Sequence, residues 1–189
     1  MTTSTAPEVQ TLLEHLRAAV CLRDPQAITE RIKGDLEEFA GHGVMLPERF
    51  HRTKPGSYCR RLLHRDPELD FTAVVMTWGP GQRTALHDHA GIWCVEGVIE
   101  GEMEVARFDL VEESAGVCRF ADKGSVRAGV GSAGALIPPF EYHILGNAHP
   151  ETLALTLHVY GGEMDHCSVF APLGEDRYER QSRRLSYDE

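Results

Sequence analysis

The periodicity of the chain changes once, near Ser57, and that change limits the fold more than any other feature. Before it, apolar residues recur at helical spacing: Leu12, Leu13, Leu16 and Val20 in one segment, Ile28, Ile32 and Leu36 in a second. Asp24 followed by Pro25 reads as an N-cap with proline at the first helical position, and Gly41 and Gly43 supply a stop. After it come short β-branched and apolar runs divided by Gly, Pro and Asp: FTAVVMTW, IWCVEGVIEG, EMEVARFDL, GSVRAGV, ALIPPF, LALTLHVY and CSVFAP. Closely spaced strands with turn signals and no intervening helices predict a mainly β sandwich or small barrel of antiparallel strands. Glu100 and Gly101 read as a hairpin turn. A length of 189 residues suits one domain: N-terminal helices within 1–45 covering one face or end, a β-barrel at 57–172, and a charged, solvated polar tail at 174–189.

The run WGPGQRTAL is followed by His87, Asp88 and His89. Side chains alternate across a strand, so His87 and His89 can reach one metal ion while Asp88 points the other way and hydrogen-bonds locally. A lone histidine such as His15, His42, His51 or His64 reads as an ordinary hydrogen-bonded residue; an HxH in a glycine frame reads as a metal site. The frame resembles the first motif of the cupin barrels, with Gly81, His87, His89 and Gly101 in place and Cys94 where the motif has an acid. IPPFEYHILGN resembles the second cupin motif through Pro138, His143 and Asn147, with Phe140 in place of a glycine. The resemblance implies a jelly-roll cupin barrel with His87, His89 and His143 as metal ligands. Three neutral imidazoles leave a divalent ion's charge uncompensated, which favours a soft anionic donor such as a thiolate in an open position. Histidine spacing alone also suits Zn, Mn, Ni or Cu.

From about Tyr58 to Phe170 the chain resembles the cysteine dioxygenase family of cupin-fold thiol dioxygenases, in its bacterial type. The resemblance rests on the HDH triplet, His143, and the strand Thr156-Leu157-His158-Val159-Tyr160, where the family has Ser-x-His-x-Tyr. Period two puts Thr156, His158 and Tyr160 on one strand face, and threonine keeps the hydroxyl of the family's serine. Tyr58-Cys59-Arg60 is similar to the family's Tyr-x-Arg strand, which implies that Arg60, with Tyr58 beside it, binds a substrate carboxylate; Arg61 then faces away, toward solvent. Cys94 and Tyr160 match the partners of a thioether crosslink in some members. HVYGG, by contrast, looks like the bacterial 3-mercaptopropionate dioxygenases, which usually have glutamine at the place of Arg60.

What the resemblance implies is a mononuclear non-haem Fe(II) enzyme that adds both atoms of O2 to the sulfur of a small carboxylated thiol, with Tyr160, oriented by His158 and Thr156, positioning substrate and oxygen. L-cysteine, converted to cysteine sulfinate, is the expected substrate; 3-mercaptopropionate and mercaptosuccinate are the alternatives within the class. Outside it stand a metal-dependent isomerase and a ligand-binding module without turnover.

A formal charge of −10 argues against nucleic-acid and acidic-membrane partners, since both need clustered Lys and Arg. No window reaches the length of a transmembrane helix, and MTTSTAPEVQ has neither a basic start nor an apolar stretch. Five scattered cysteines form no CxxC pair and predict neither a disulfide framework nor a zinc ribbon. These features together read as a cytoplasmic protein; the partners that the resemblance implies are a small thiol and O2.

Overall fold

A computed structural model describes residues 7–189; residues 1–6, part of the segment read as lacking a leader, lie outside it. The helices are α1 (Pro7–Val20) and α2 (Pro25–Gly41). Asp24 caps α2 by accepting a hydrogen bond from the Ala27 amide at 2.9 Å. Gly43, at φ 63°, turns the chain out of α2, and a short 3-10 helix follows at Glu48–His51. The strands are β1 (Cys59–Asp66), β2 (Phe71–Trp78), β3 (Leu86–His87), β4 (Cys94–Glu100), β5 (Glu102–Ser114), β6 (Val117–Gly129), β7 (Ala133–Leu136), β8 (His143–Asn147), β9 (Ala154–Tyr160), β10 (His166–Gly174) and β11 (Arg177–Arg184).

All pairings are antiparallel. Five strands form a sheet in the order β1-β2-β9-β4-β7, and the other six close a ring, β10-β11-β6-β5-β8-β3. The result is a mainly β cupin barrel of jelly-roll type with N-terminal helices.

The central strands β2 and β9 of the five-stranded sheet are buried on both faces, and strand alternation assigns each face a task. Ala73 and Val75 of β2, Val95 and Ile99 of β4, and Leu155, Leu157 and Val159 of β9 face outward and share one core with Leu12, Leu16, Ile28, Ile32 and Leu36 of the helices. Burying each large aliphatic side chain there contributes roughly 1.5–3 kcal/mol. Gly97 lets α2 approach: a Cβ on it would lie 3.1 Å from that of Leu36. The residues between, Val74 and Met76, Cys94 and Val98, and Tyr160, point into the barrel.

Three expectations change. Gly101 does not close a hairpin, because β4 belongs to the five-stranded sheet and β5 to the ring; the chain turns a corner between layers. At φ 77° and with a virtual Cβ 2.9 Å from both Ala154 Cβ and the Leu153 carbonyl, that corner requires glycine. GSVRAGV is only the end of β6, which starts at Val117 and pairs with the whole of β5. The segment 174–189 is exposed, as its charge density predicts, but it is an ordered strand and not a loose tail: β11 pairs with β10 and β6, and the Asp188 carboxylate accepts from the Arg60 amide at 2.8 Å. A strand that is polar on both faces suits this exposed position, and a count of apolar residues does not detect it.

Candidate metal centre

His87 ends β3, and the chain leaves strand geometry after it, with Ala90 at φ 54°. Extension persists far enough to keep the alternation, because the Asp88 amide still donates to the Ser168 carbonyl at 3.1 Å. The Asp88 carboxylate points away from the histidines, accepting from the amides of Ala90 (3.2 Å) and Ser168 (2.8 Å) and pairing with Arg180 at 3.3 Å. His143 starts β8 directly opposite His87. Ring centroids of His87, His89 and His143 stand 4.5–5.2 Å apart, and one nitrogen of each lies within 4.8 Å of the others.

Hydrogen bonds on the outer nitrogens fix the rings. His87 Nδ1 meets the Ala85 carbonyl at 3.1 Å and His143 Nδ1 the Glu141 carbonyl at 3.2 Å, which places their protons on Nδ1 and the lone pairs on the inward Nε2. The Glu141 carboxylate accepts from the His89 amide at 2.8 Å and lies 3.4 Å from His89 Nδ1. The Nε2 atoms of His89 and His143 are buried without a hydrogen-bond partner. Burial, reinforced by His143, pushes His89 down to about 3 and holds His87 well below the ordinary histidine range. Neutral, unpartnered, converging imidazoles are what a borderline divalent ion requires, so the residues fit a bound metal.

The opposite wall is a cross-strand ladder. Cys94 faces Tyr160, Glu96 faces His158, and Val98 faces Thr156 along β4 and β9. Trp78 Nε1 donates to Thr156 Oγ1 at 2.9 Å, and Thr156 Oγ1 lies 2.7 Å from His158 Nε2. The hydroxyl, accepting from Trp78, donates to Nε2, which leaves the His158 ring proton on Nδ1, 3.1 Å from Glu96 Oε1. No hydrogen bond joins His158 to the Tyr160 hydroxyl; the rings stack, 6.0 Å between centroids. The expectation that Thr156 and His158 orient Tyr160 by a hydrogen-bond relay is corrected in this respect. Register places Cys94, not His158, opposite Tyr160. Burial first, and Cys94 second, raises the Tyr160 phenol well above its usual range; burial and then Glu96 do the same to the Cys94 thiol.

Arg60 enters from β1 and is 4% exposed. Its Nη2 donates to the Met164 carbonyl at 3.0 Å, its guanidinium lies over the Tyr187 ring, and its Nε is buried without a partner. Among the described residues no carboxylate pairs with this guanidinium. Tyr58 stacks on Trp78 at 4.5 Å beside it. Arg61 does face the other side of the strand, but not solvent. It is 6% exposed and donates to Thr77 Oγ1 and to the carbonyls of Arg52 and Glu189. Arg60, His87, Glu96, His158, Tyr160 and Leu185 line one cavity of about 20 Å³.

The pair Gly161-Gly162, read as a mark of substrate class, has a packing cause. A Cβ on Gly161 would fall 2.3 Å from Trp93 Nε1, and its amide bonds the Trp93 carbonyl at 3.0 Å. Asn147 likewise holds loops, its side-chain nitrogen within 3.2 Å of the carbonyls of Trp78, Gly79 and Thr152. Sequence reasoning missed Glu96. Its signal was available, since period two from Cys94 puts it on the same face.

The family model described as cysteine dioxygenase type I matches residues 2–172 of this chain. Among solved structures, TT1209 from Thermus thermophilus is similar at 19% identity and a TM-score of 0.45, over 62% of this chain and 95% of that one. The cupin domain of Schizosaccharomyces pombe Cnp3 matches at 12% identity and 0.43, over 64% and 65%. Oxalate oxidase in complex with the substrate analogue glycolate matches at 18% and 0.43, over 58% of this chain and 53% of that one.

Proposed function

The chain belongs to the cysteine dioxygenase type I family, and from that premise we propose that it is a mononuclear non-haem iron(II) thiol dioxygenase acting on a small carboxylated thiol, L-cysteine foremost. The observation that carries this reading is one small cavity lined both by His87, a member of the imidazole cluster, and by Arg60, a buried guanidinium without a carboxylate. His87, His89 and His143 would hold the iron. When bound, the metal supplies the redox chemistry by which both atoms of O2 pass to sulfur, giving a sulfinate.

The protein's own residues do the rest. A buried guanidinium is costly unless an anion meets it, so Arg60 receives the substrate carboxylate through charge-assisted hydrogen bonds. Such bonds contribute about 1.5–3 kcal/mol. Tyr160, kept protonated by burial, offers an O–H to the bound substrate and can exchange that proton. Thr156 and His158, fixed by Trp78, hold the wall behind it. Leu185 helps to exclude water. The facing positions of Cys94 and Tyr160 support a thioether. Its formation removes the thiol hydrogen and a ring hydrogen, makes one C–S bond, and passes two electrons and two protons to O2. All five cysteines are free thiols, which supports placing the protein in the reducing cytoplasm.

Oxygen uptake by the iron-loaded protein, measured against cysteine, 3-mercaptopropionate, mercaptosuccinate and cysteamine, tests the reading. Uptake with one or more carboxylated thiols, with sulfinate formed, is expected. Thiol binding without oxygen consumption would instead mark a ligand-binding module.

A further inference from the structure

Glu96 has no task in the reading above, yet it occupies the middle of the site. Alternation along β4 turns it to the same side as Cys94, and its side chain is 11% exposed. Its Oε1 lies 3.4 Å from His143 Nε2, 3.9 Å from His89 Nε2 and 3.1 Å from His158 Nδ1. The first two are the inward nitrogens of the histidine cluster. None of the three nitrogens makes a well-directed hydrogen bond, and all three are buried.

A buried carboxylate needs a cation or good donors around it. No Lys or Arg pairs with Glu96 among the described residues, so its neighbours are imidazoles alone. Two of those point lone pairs toward the region its oxygen faces. Lone pairs from nitrogen and oxygen gathered at this spacing repel unless something positive lies between them. Donor atoms of His89, Cys94 and Glu96 also lie within 4.8 Å of one another, but the thiol faces Tyr160.

We infer that Glu96 is a fourth protein ligand to the ion. The carboxylate absent from the motif position at Cys94 is supplied two residues later, from the next inward place on the same strand. This rests on the metal centre proposed above and changes its chemistry. One of the ion's two charges is compensated by protein, and a single substrate thiolate then makes the centre neutral. One position fewer remains for substrate, which favours attachment through sulfur alone, with the carboxylate at Arg60. The reading of a carboxylate-free ligand set gives way to a mixed one.

The test is Co(II) binding to metal-stripped protein, followed by absorption spectra sensitive to coordination number, in wild type, Glu96→Gln, Glu96→Asp and His89→Ala. The expected result is a Co(II) affinity lower by at least about tenfold in Glu96→Gln, with a changed spectrum, and partial recovery in Glu96→Asp. Unchanged affinity and spectrum in Glu96→Gln, with binding lost in His89→Ala, overturns the fourth ligand and leaves the histidine centre standing. Wild-type binding in His89→Ala overturns both. Should Glu96→Gln not fold, a crystal structure of the Co(II)-loaded wild type decides: a Glu96 oxygen within about 2.2 Å of the ion is expected, and one beyond hydrogen-bond distance of it overturns the inference.

Discussion

On one side of the candidate site the histidines come from β3, the turn that follows it, and β8, the strands being two and five residues long. On the other, β4 and β9 are seven residues each and keep register from Cys94 to Val98. The histidine side is fixed locally: Nδ1 atoms bond carbonyls two residues away, and Glu141 bonds the His89 amide. The ladder side is fixed at a distance, by which residue of β9 lies across from which residue of β4. A site assembled this way has a local half, in which a single change removes a ligand, and a non-local half, in which a single change weakens an alignment.

The largest break falls on the local half. His89→Ala removes one imidazole from the cluster and is expected to abolish both iron binding and oxygen consumption; metal content after reconstitution and an oxygen electrode measure it. Retained stoichiometric iron would show that the cluster does not hold the metal.

Next is Arg60→Ala, which tests the cavity between the two halves. A loss of roughly 10- to 150-fold in kcat/KM for carboxylated thiols is expected, with little change for cysteamine, which has no carboxylate. Arg61→Ala sharpens the contrast between neighbours on one strand. With one buried and two half-buried hydrogen bonds lost, it should lower stability by about 2–4 kcal/mol in urea unfolding and leave the cysteine-to-cysteamine ratio unchanged. A shift of that ratio in Arg61→Ala but not in Arg60→Ala would move the carboxylate site to the other strand face.

The smallest expected effect tests the ladder itself. After turnover, part of the protein should carry a link that lacks two hydrogens between the peptides of Cys94 and Tyr160, seen by mass spectrometry. Cys94→Ser should lack it and keep oxygen consumption of the same order. Full absence of the link in wild type after many turnovers would count against a working alignment of the two side chains.

The local half was legible in the sequence for the same reason that it is local. HDH and PPFEYH carry their ligands within a few residues. Helix α2 was legible through Asp24, Pro25 and its apolar spacing. The pairing of Glu96 with His158 was not, because alternation gives the face of each residue but not its partner across the strands. Arg61 was read as solvent-facing on the same alternation, which separates it correctly from Arg60. What lies on its side, the carbonyls of Arg52 and Glu189, comes from remote segments. Strand β11 escaped notice because its pairing is with backbone, and RYERQSRR has no apolar stripe to announce it.

The doubly buried strand β9 bears on which changes in length the chain can tolerate. In β9 the odd-numbered residues from Leu155 to Val159 form the floor beneath the helices, and the even-numbered ones from Thr156 to Tyr160 face the barrel interior, where His158 and Tyr160 line the cavity. Inserting or deleting one residue near Ala154 exchanges the two sets, sending His158 and Tyr160 among the apolar side chains of α2 and the leucines of β9 into the cavity. A two-residue change restores the faces while moving every partner along by one pair, so the sheet could still form with Tyr160 no longer opposite Cys94. Descendants of this gene should therefore vary in loop length around β9 and scarcely at all within it.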